Sequence, residues 1–214
     1  MKNNWQILTL LLAVALCIMV FKDTFLEMKT TENNTIEPQN VEEIALGNIM
    51  TRKSVRKYLD KPIEEDKIEK ILRAGMAAPS AGNKQPWSIV VVNDKAALAR
   101  LGEKLPYAKM TSGADIALVV CGDLSKGFEG KESEYWIQDC AAMSENILLA
   151  AHALGLGAVW TGVYPMQERM NIVSEELGLP ENVIPLNVIP MGYPDGETPI
   201  KDKWNPSNVK YNKW

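Results

Sequence analysis

Apolar residues run from Ile7 to Phe21 with Thr9 as the one polar interruption, flanked by Lys2 on one side and Lys22–Asp23 on the other. The stretch is long for the hydrophobic part of an export signal and short of the ~17–25 residues of a spanning helix, so both readings stand. No Ala-x-Ala cleavage site follows it, and Leu16 precedes Cys17 where lipid attachment wants a small residue, which favours an uncleaved anchor. Residues 22–40 are polar, contain proline and lack periodicity, as a linker does. The expected organisation is a signal or anchor over 1–21, a linker over 22–40 and a folded domain over 41–214. The protein is then expected to be membrane-anchored or exported.

Within the domain the period alternates. Ile44, Ile49 and Met50 share a helical face, and the basic segment after them reads as extended up to Pro62. Ile68, Ile71, Leu72 and Met76 recur at helical spacing behind an acidic start, in a helix that Pro79 stops. Unbroken apolar runs at Ser88–Asn93 and Asp115–Asp123 predict buried strands, with Asp94 capping a helix through Leu105 between them. A long Ala-rich helix is predicted over Ser133–Leu154, followed by a strand at Ala158–Tyr164, a helix at Met166–Leu177 and a strand at Val183–Met191. The tail carries Trp204, Tyr211 and Trp214 without any pattern, so it should pack against something. Strands separated by helices indicate a sheet covered on both faces, and pattern alone favours a parallel, doubly wound order.

Composition constrains the chemistry more than the fold. The chain has 23 Lys and Arg against 27 Asp and Glu, a net charge of −4. Residues 1–43 hold three lysines and six acidic residues, leaving 20 basic and 21 acidic groups in the remainder. No broad basic face is available for nucleic acid. One histidine, His152, and three cysteines, Cys17, Cys121 and Cys140, are too few for a zinc site or a disulfide framework. Any chemistry must come from carboxylates and lysines or from a bound cofactor, or the protein has none.

Three clusters could carry it. In extended backbone Arg52, Ser54 and Arg56 point one way, presenting two guanidiniums and a hydroxyl to one anion, with Lys53 between them. The loop Pro79-Ser80-Ala81-Gly82-Asn83-Lys84-Gln85-Pro86 is fixed by two prolines and offers hydroxyl and amide groups to the edge of a planar heterocycle. Gly155-Leu156-Gly157 mimics a nucleotide-binding glycine loop, but these glycines end a helix and open a strand, so both read as helix C-caps.

These clusters, in this order, resemble the nitroreductase-like family of FMN-dependent NAD(P)H oxidoreductases. The segments that carry the resemblance are TRKSVRKY, AGMAAPSAGNKQPW, DCAAMSENILLAAHALGLGAVWTG, and VIPMGYP followed by Lys201-Asp202-Lys203-Trp204. The resemblance implies an α+β fold with a central mixed, mostly antiparallel sheet flanked by helices, and this overrides the parallel order that the pattern favours. It also implies an intertwined homodimer with FMN at the interface. Carried over position by position, Arg52 meets the FMN phosphate, and Lys53, Ser54 and Arg56 face the ribityl chain and pyrimidine edge. Pro79, Ser80, Asn83 and Gln85 line the isoalloxazine, Thr161 and Gly162 lie near its N5, and Lys201 and Lys203 close the phosphate site. The family often has Arg where this chain has Lys203, which keeps the charge and loses the bidentate fork. The implied activity is ping-pong hydride transfer from NADH or NADPH through the flavin to a nitroaromatic, a quinone or a similar small-molecule acceptor. The alternatives are a specialised flavin reaction such as reductive dehalogenation, for which Lys131, Glu132, Glu134 and Tyr135 are the candidates, or a non-catalytic, membrane-anchored flavin-binding protein.

Overall fold

The computed structural model describes residues 38–130 and 133–214. The chain divides into two compact units, Met1–Leu46 and Gly47–Trp214. Of the first, only residues 38–46 are described, as part of helix α1 (Pro38–Thr51). The apolar stretch at 7–21, Cys17, the linker up to residue 37, and Lys131 and Glu132 lie outside the described residues. The expected membrane-anchored or exported placement requires correction, because no helix among the described residues is long and apolar enough to cross a membrane. Among the described residues even the longest helix, Tyr135–Ala153, carries Asp139 and Glu145 along its length.

In the second unit, α2 (Glu65–Met76), β1 (Trp87–Val92), α3 (Lys95–Lys104) and β2 (Ile116–Asp123) follow one another. Then come α4 (Tyr135–Ala153), the short strands β3 (Gly157–Ala158) and β4 (Thr161–Gly162), α5 (Gln167–Leu177) and β5 (Val183–Gly192). Every named strand pair is antiparallel: β1 with β2, β2 with β5, and both β3 and β4 with the far side of β5. The α+β expectation holds, and the parallel order favoured by pattern alone does not. A strand buried on both faces reads as a continuous apolar run whichever way its neighbours point, so direction leaves no trace in the residues.

The strand β2 shows this sandwiching directly, since all eight of its residues are buried. Ile116, Leu118 and Val120 join Ile71, Met143, Ile147 and Met191 in a core beneath α2 and α4. Ala117, Val119 and Cys121 join Leu98, Leu101, Val173 and Val188 beneath α3 and α5. The two-residue period of a strand deals its side chains alternately to these two layers. The Asp94 carboxylate caps α3 as expected, accepting from the Ala97 amide at 2.8 Å.

The single strand predicted at Ala158–Tyr164 is two pieces. Gly157 faces Gly192 and Ala158 faces Met191, while Thr161 faces Val188 and Gly162 faces Asn187, so both pieces keep one register. Only Val159 and Trp160 leave the ladder. Gly155 has φ 76°, as a helix C-cap requires. Gly157 does not belong with it: it lies in β3, and a Cβ there would sit 2.6 Å from Val55 Cγ1 and 2.7 Å from Val55 Cβ. Its role is to let the 52–56 segment lie against the sheet, where Val55 N–H donates to Ala158 O at 3.0 Å. Valine's branched side chain cannot swing clear of a methyl group in that space. Gly157→Ala should therefore cost about 1–3 kcal/mol and lower Tm by roughly 3–10 °C for a domain of this size. Gly113→Ala, where a Cβ meets open space, is the calorimetric control. A Gly157→Ala protein as stable as that control would contradict the reading.

Candidate functional site

A cleft of concentrated positive charge is built on the 52–56 segment. Ser54 forms an isolated parallel bridge with Ala158, and Val55 is buried, so the residues on either side of Val55 face outward. Arg52, Lys53, Ser54 and Arg56, with Thr198, Pro199, Lys201 and Lys203 from the tail, line a cleft of about 470 Å³. Five cations and no carboxylate line it, in a domain whose net charge is close to zero. Among the described residues, Lys53, Arg56, Lys201 and Lys203 make no ion pair. Such a concentration of one sign focuses a field on whatever anion enters.

Arg52 is held more firmly than the others. Its Nε–H donates to Glu145 Oε1 of α4 at 3.0 Å, which leaves both terminal nitrogens for an anion. On the same face of α4, Asn48 Nδ2 donates to Leu149 O at 3.1 Å. Thr51 Oγ1 lies 2.9 Å from His152 Nε2. The Thr51 hydroxyl spends its one proton on Gly47 O, at 2.6 Å. His152 must therefore donate from Nε2, and its role is to anchor the start of the basic segment.

A second cleft, of about 450 Å³, shares Arg56 with the first and is lined also by Pro106, Tyr107, Met110, Val159, Trp160, Thr161, Gly162 and Arg169. Thr161 is buried and its hydroxyl donates to Val188 O at 2.6 Å, so it pins β4 to β5 and offers a ligand only its backbone. Gly162 is open: a Cβ there would meet nothing within 4 Å. Beneath it, Asn187 Nδ2 donates to Ser144 Oγ at 2.8 Å and Ser144 Oγ–H to Cys140 O at 2.7 Å, tying β5 to α4.

The third predicted group lies elsewhere. Ala81 N–H donates to Asp139 Oδ1 at 2.8 Å, Gln85 N–H to Ser80 Oγ at 3.0 Å, and Gln85 Nε2 to Asn83 Oδ1 at 3.0 Å. Asn83 and Gln85 both adopt positive φ, 53° and 50°, which turns the loop sharply after Pro79. Two independent measures place this loop far from the 52–56 segment. Asp139 and His152, which hold Ala81 and Thr51, are thirteen residues apart on α4, about 20 Å of helix. On the sheet, Trp87 pairs with Gly122 and Gly122 with Ile184, whereas Ala158 pairs with Met191, seven residues further along β5. That too is roughly 20 Å. Within one chain Arg52, Lys53, Ser54, Arg56, Lys201 and Lys203 come together, Thr161 and Gly162 adjoin them, and Pro79, Ser80, Asn83 and Gln85 do not.

Tyr107, Met110 and Arg169 line the second cleft without having been singled out in the sequence. The segment around Tyr107 and Met110 reads as an aperiodic connector, and Arg169 sits in an otherwise ordinary helix. The one available signal was the aromatic at 107 in a short polar loop. Cys121 and Cys140 are fully buried, and burial pushes both thiols up to about 12, so neither is a nucleophile. Among the described residues no group of His, Cys, Asp or Glu could hold a metal ion.

The Nitroreductase family model matches residues 49–105 and 103–193. The chain belongs to the nitroreductase family. The chain is 46% identical over 177 residues to an Archaeoglobus fulgidus protein named "Putative NADH dehydrogenase/NAD(P)H nitroreductase", spanning 80% of this chain and 99% of that one. A crystal structure of the same name from Bacteroides thetaiotaomicron superposes with a TM-score of 0.75 at 49% identity, covering 79% of this chain and 98% of that one. The NADPH:FMN oxidoreductase of Vibrio harveyi, solved with NAD+, gives a TM-score of 0.73 at 28% identity and covers 80% and 78%. The fold is the nitroreductase fold.

The surroundings of His152 make a solution prediction. Burial, and then the charges of Lys53 and Arg52, hold its pKa below the usual value of 6.5. As pH falls below 6.5 the unfolded chain takes up a proton that the folded one refuses, so this residue withdraws stability on the acid side and has no effect above neutrality. Because it is the one histidine in the chain, its imidazole proton signals can be followed by NMR without assignment. A titration midpoint below 6.5 is expected, and one at or above 6.5 would contradict the geometry.

Proposed function

We propose that the two adjoining clefts hold FMN at the interface of a homodimer, and that the chain passes electrons from NADH or NADPH to a nitroaromatic, a quinone or a similar small acceptor. The chain is an FMN-dependent NAD(P)H oxidoreductase of the nitroreductase family. The observation that carries the site assignment is the set of five cations lining one cleft without a carboxylate, next to a glycine with open space before it. The residues fit the cofactor: the cations match a phosphate bearing nearly two negative charges, and Gly162 leaves room for the close approach of a planar ring. When bound, FMN supplies the redox chemistry, by which hydride from NAD(P)H, with one proton from solvent, reduces the acceptor by two electrons and leaves NAD(P)+.

The chain's own residues bind and orient. Arg52, its Nε engaged by Glu145, turns its two remaining nitrogens to the phosphate in the bidentate manner a lysine cannot reproduce. Lys201 and Lys203 close that end. Lys53, Ser54 and Arg56 would hold the ribityl chain and the pyrimidine edge, and the backbone of Thr161 and Gly162 would line the ring. Pro79, Ser80, Asn83 and Gln85, some 20 Å away in the same chain, would reach the ring from a second copy. This supports a dimer in which each site is incomplete without the partner. The scarcity of histidine and cysteine suits such an enzyme, because orientation and electrostatics are all that the protein must supply.

The purified full chain should be yellow with FMN, should bleach on anaerobic addition of NADH or NADPH, and should recover its colour with a nitroaromatic or quinone. Arg52→Ala should weaken FMN binding by more than about tenfold, as expected for a charge-assisted hydrogen bond worth about 1.5–3 kcal/mol. Lys203→Ala, which removes an exposed and unanchored ammonium, should weaken it by about threefold or less. A colourless chain that takes up no FMN would overturn the cofactor reading. Equal retention by both variants would overturn the phosphate assignment.

A further inference from the structure

The second cleft contains more than a flavin ring requires. Arg169 donates from Nη1 to Gly162 O at 3.1 Å, which fixes its guanidinium beside β4, and its other donors are unspent among the described residues. It belongs to the second cleft alone, whereas Arg52, Lys201 and Lys203 belong to the first and Arg56 to both. Two aromatic walls accompany it. Tyr107 lies with its ring centroid 5.9 Å from the Arg169 guanidinium carbon, near the limit of a cation–π contact. Its φ of 64° is a left-handed conformation rare for an aromatic residue, and its side chain is held out at the rim, 84% exposed. Trp160 leaves the strand ladder between β3 and β4 and is 37% exposed. Pro106, Met110 and Val159 complete an apolar lining, and no carboxylate is among the lining residues. Glu168, next to Arg169 in sequence, is not one of them.

A flat apolar body and an anion are what such a surface complements. A guanidinium covered by an apolar group loses water and gains no partner, and a neutral carbonyl or amide oxygen returns only an ordinary hydrogen bond. Covered by a carboxylate, it regains charge-assisted hydrogen bonds in a planar fork. We propose that the Arg169 end of this cleft is an acceptor subsite selective for planar aromatic molecules bearing a carboxylate. The inference rests on the flavin reading above and specifies the class of acceptor.

The test uses the full-length, FMN-bearing protein in its oxidised state. 4-Nitrobenzoate and its neutral isostere 4-nitrobenzamide are titrated separately, and binding is read from the perturbation of the bound flavin's visible absorption. The wild-type protein should bind the carboxylate more than about tenfold tighter, the discrimination expected of a charge-assisted pair. Arg169→Gln should reduce that ratio to near one with FMN content per chain unchanged. Arg169→Lys, which keeps the charge and loses the planar fork, should retain a preference above one but below that of the wild-type protein. A wild-type ratio near one, or a ratio unaffected by Arg169→Gln, would overturn the inference. Loss of FMN from Arg169→Gln would also overturn it, by assigning the arginine to the cofactor. So would a selective loss of NADPH affinity over NADH with the carboxylate ratio intact, which would place a nucleotide phosphate at Arg169. A chain that takes up no FMN fails the cofactor reading and the inference together, whereas a flavin-bearing chain without charge preference fails the inference alone.

Discussion

The candidate site depends on one backbone contact, the Val55 amide donating to the Ala158 carbonyl. That bond, with the parallel bridge of Ser54 to Ala158, lays the 52–56 segment along the edge of the sheet. It forms only because Gly157 has no side chain where Val55 packs. With Val55 driven inward, strand alternation turns its neighbours Ser54 and Arg56 outward. Glu145 then takes Arg52 by its Nε, and the tail brings Lys201 and Lys203 to the same cleft. A local net charge of several units thus arises in a nearly neutral domain from the placement of a few residues.

The sheet also sets how far the parts of the site lie from one another. The strand β5 pairs with β2 along one side and with β3 and β4 along the other, so it works as a ruler on which the cationic segment and the Pro79–Gln85 loop occupy opposite ends. No movement of side chains closes a gap of about 20 Å. A second copy can close it, and the single chain also leaves Trp204, Tyr211 and Trp214 exposed at 73%, 85% and 102%. The aromatic tail and the distant loop are therefore accounted for by the same partner, under the proposed dimeric arrangement.

Much of the fold was legible because its signals are local. The period of Ile68, Ile71, Leu72 and Met76 gave α2, the Asp94 cap gave the start of α3, and the apolar runs gave β1, β2 and β5 within a residue or two. Strand direction was not legible from pattern, since β2 is buried on both faces and an apolar run does not encode its neighbours' orientation. The break at Val159 and Trp160 has a related reason: both residues favour strands, so the apolar run continues through them. For the site, the cationic segment and tail lysines were found by charge and resemblance and do converge. Gly157 was misread as a helix cap because sequence shows a glycine without showing whether its value lies in φ or in the space before it. Arg169 and Tyr107 were missed because each sits in an unremarkable local context and acquires meaning only from a cleft assembled by distant segments.

Under the proposed function, the segment held by Val55 and Glu145 is a phosphate clamp. It is tested most directly by comparing FMN with riboflavin, which differ in the phosphate alone, as ligands of the apoprotein, with dissociation constants read from quenching of flavin fluorescence. The account predicts that FMN binds at least about 100-fold tighter, as two charge-assisted hydrogen bonds would give, and that rising salt narrows the gap. Equal affinity for the two flavins would contradict it.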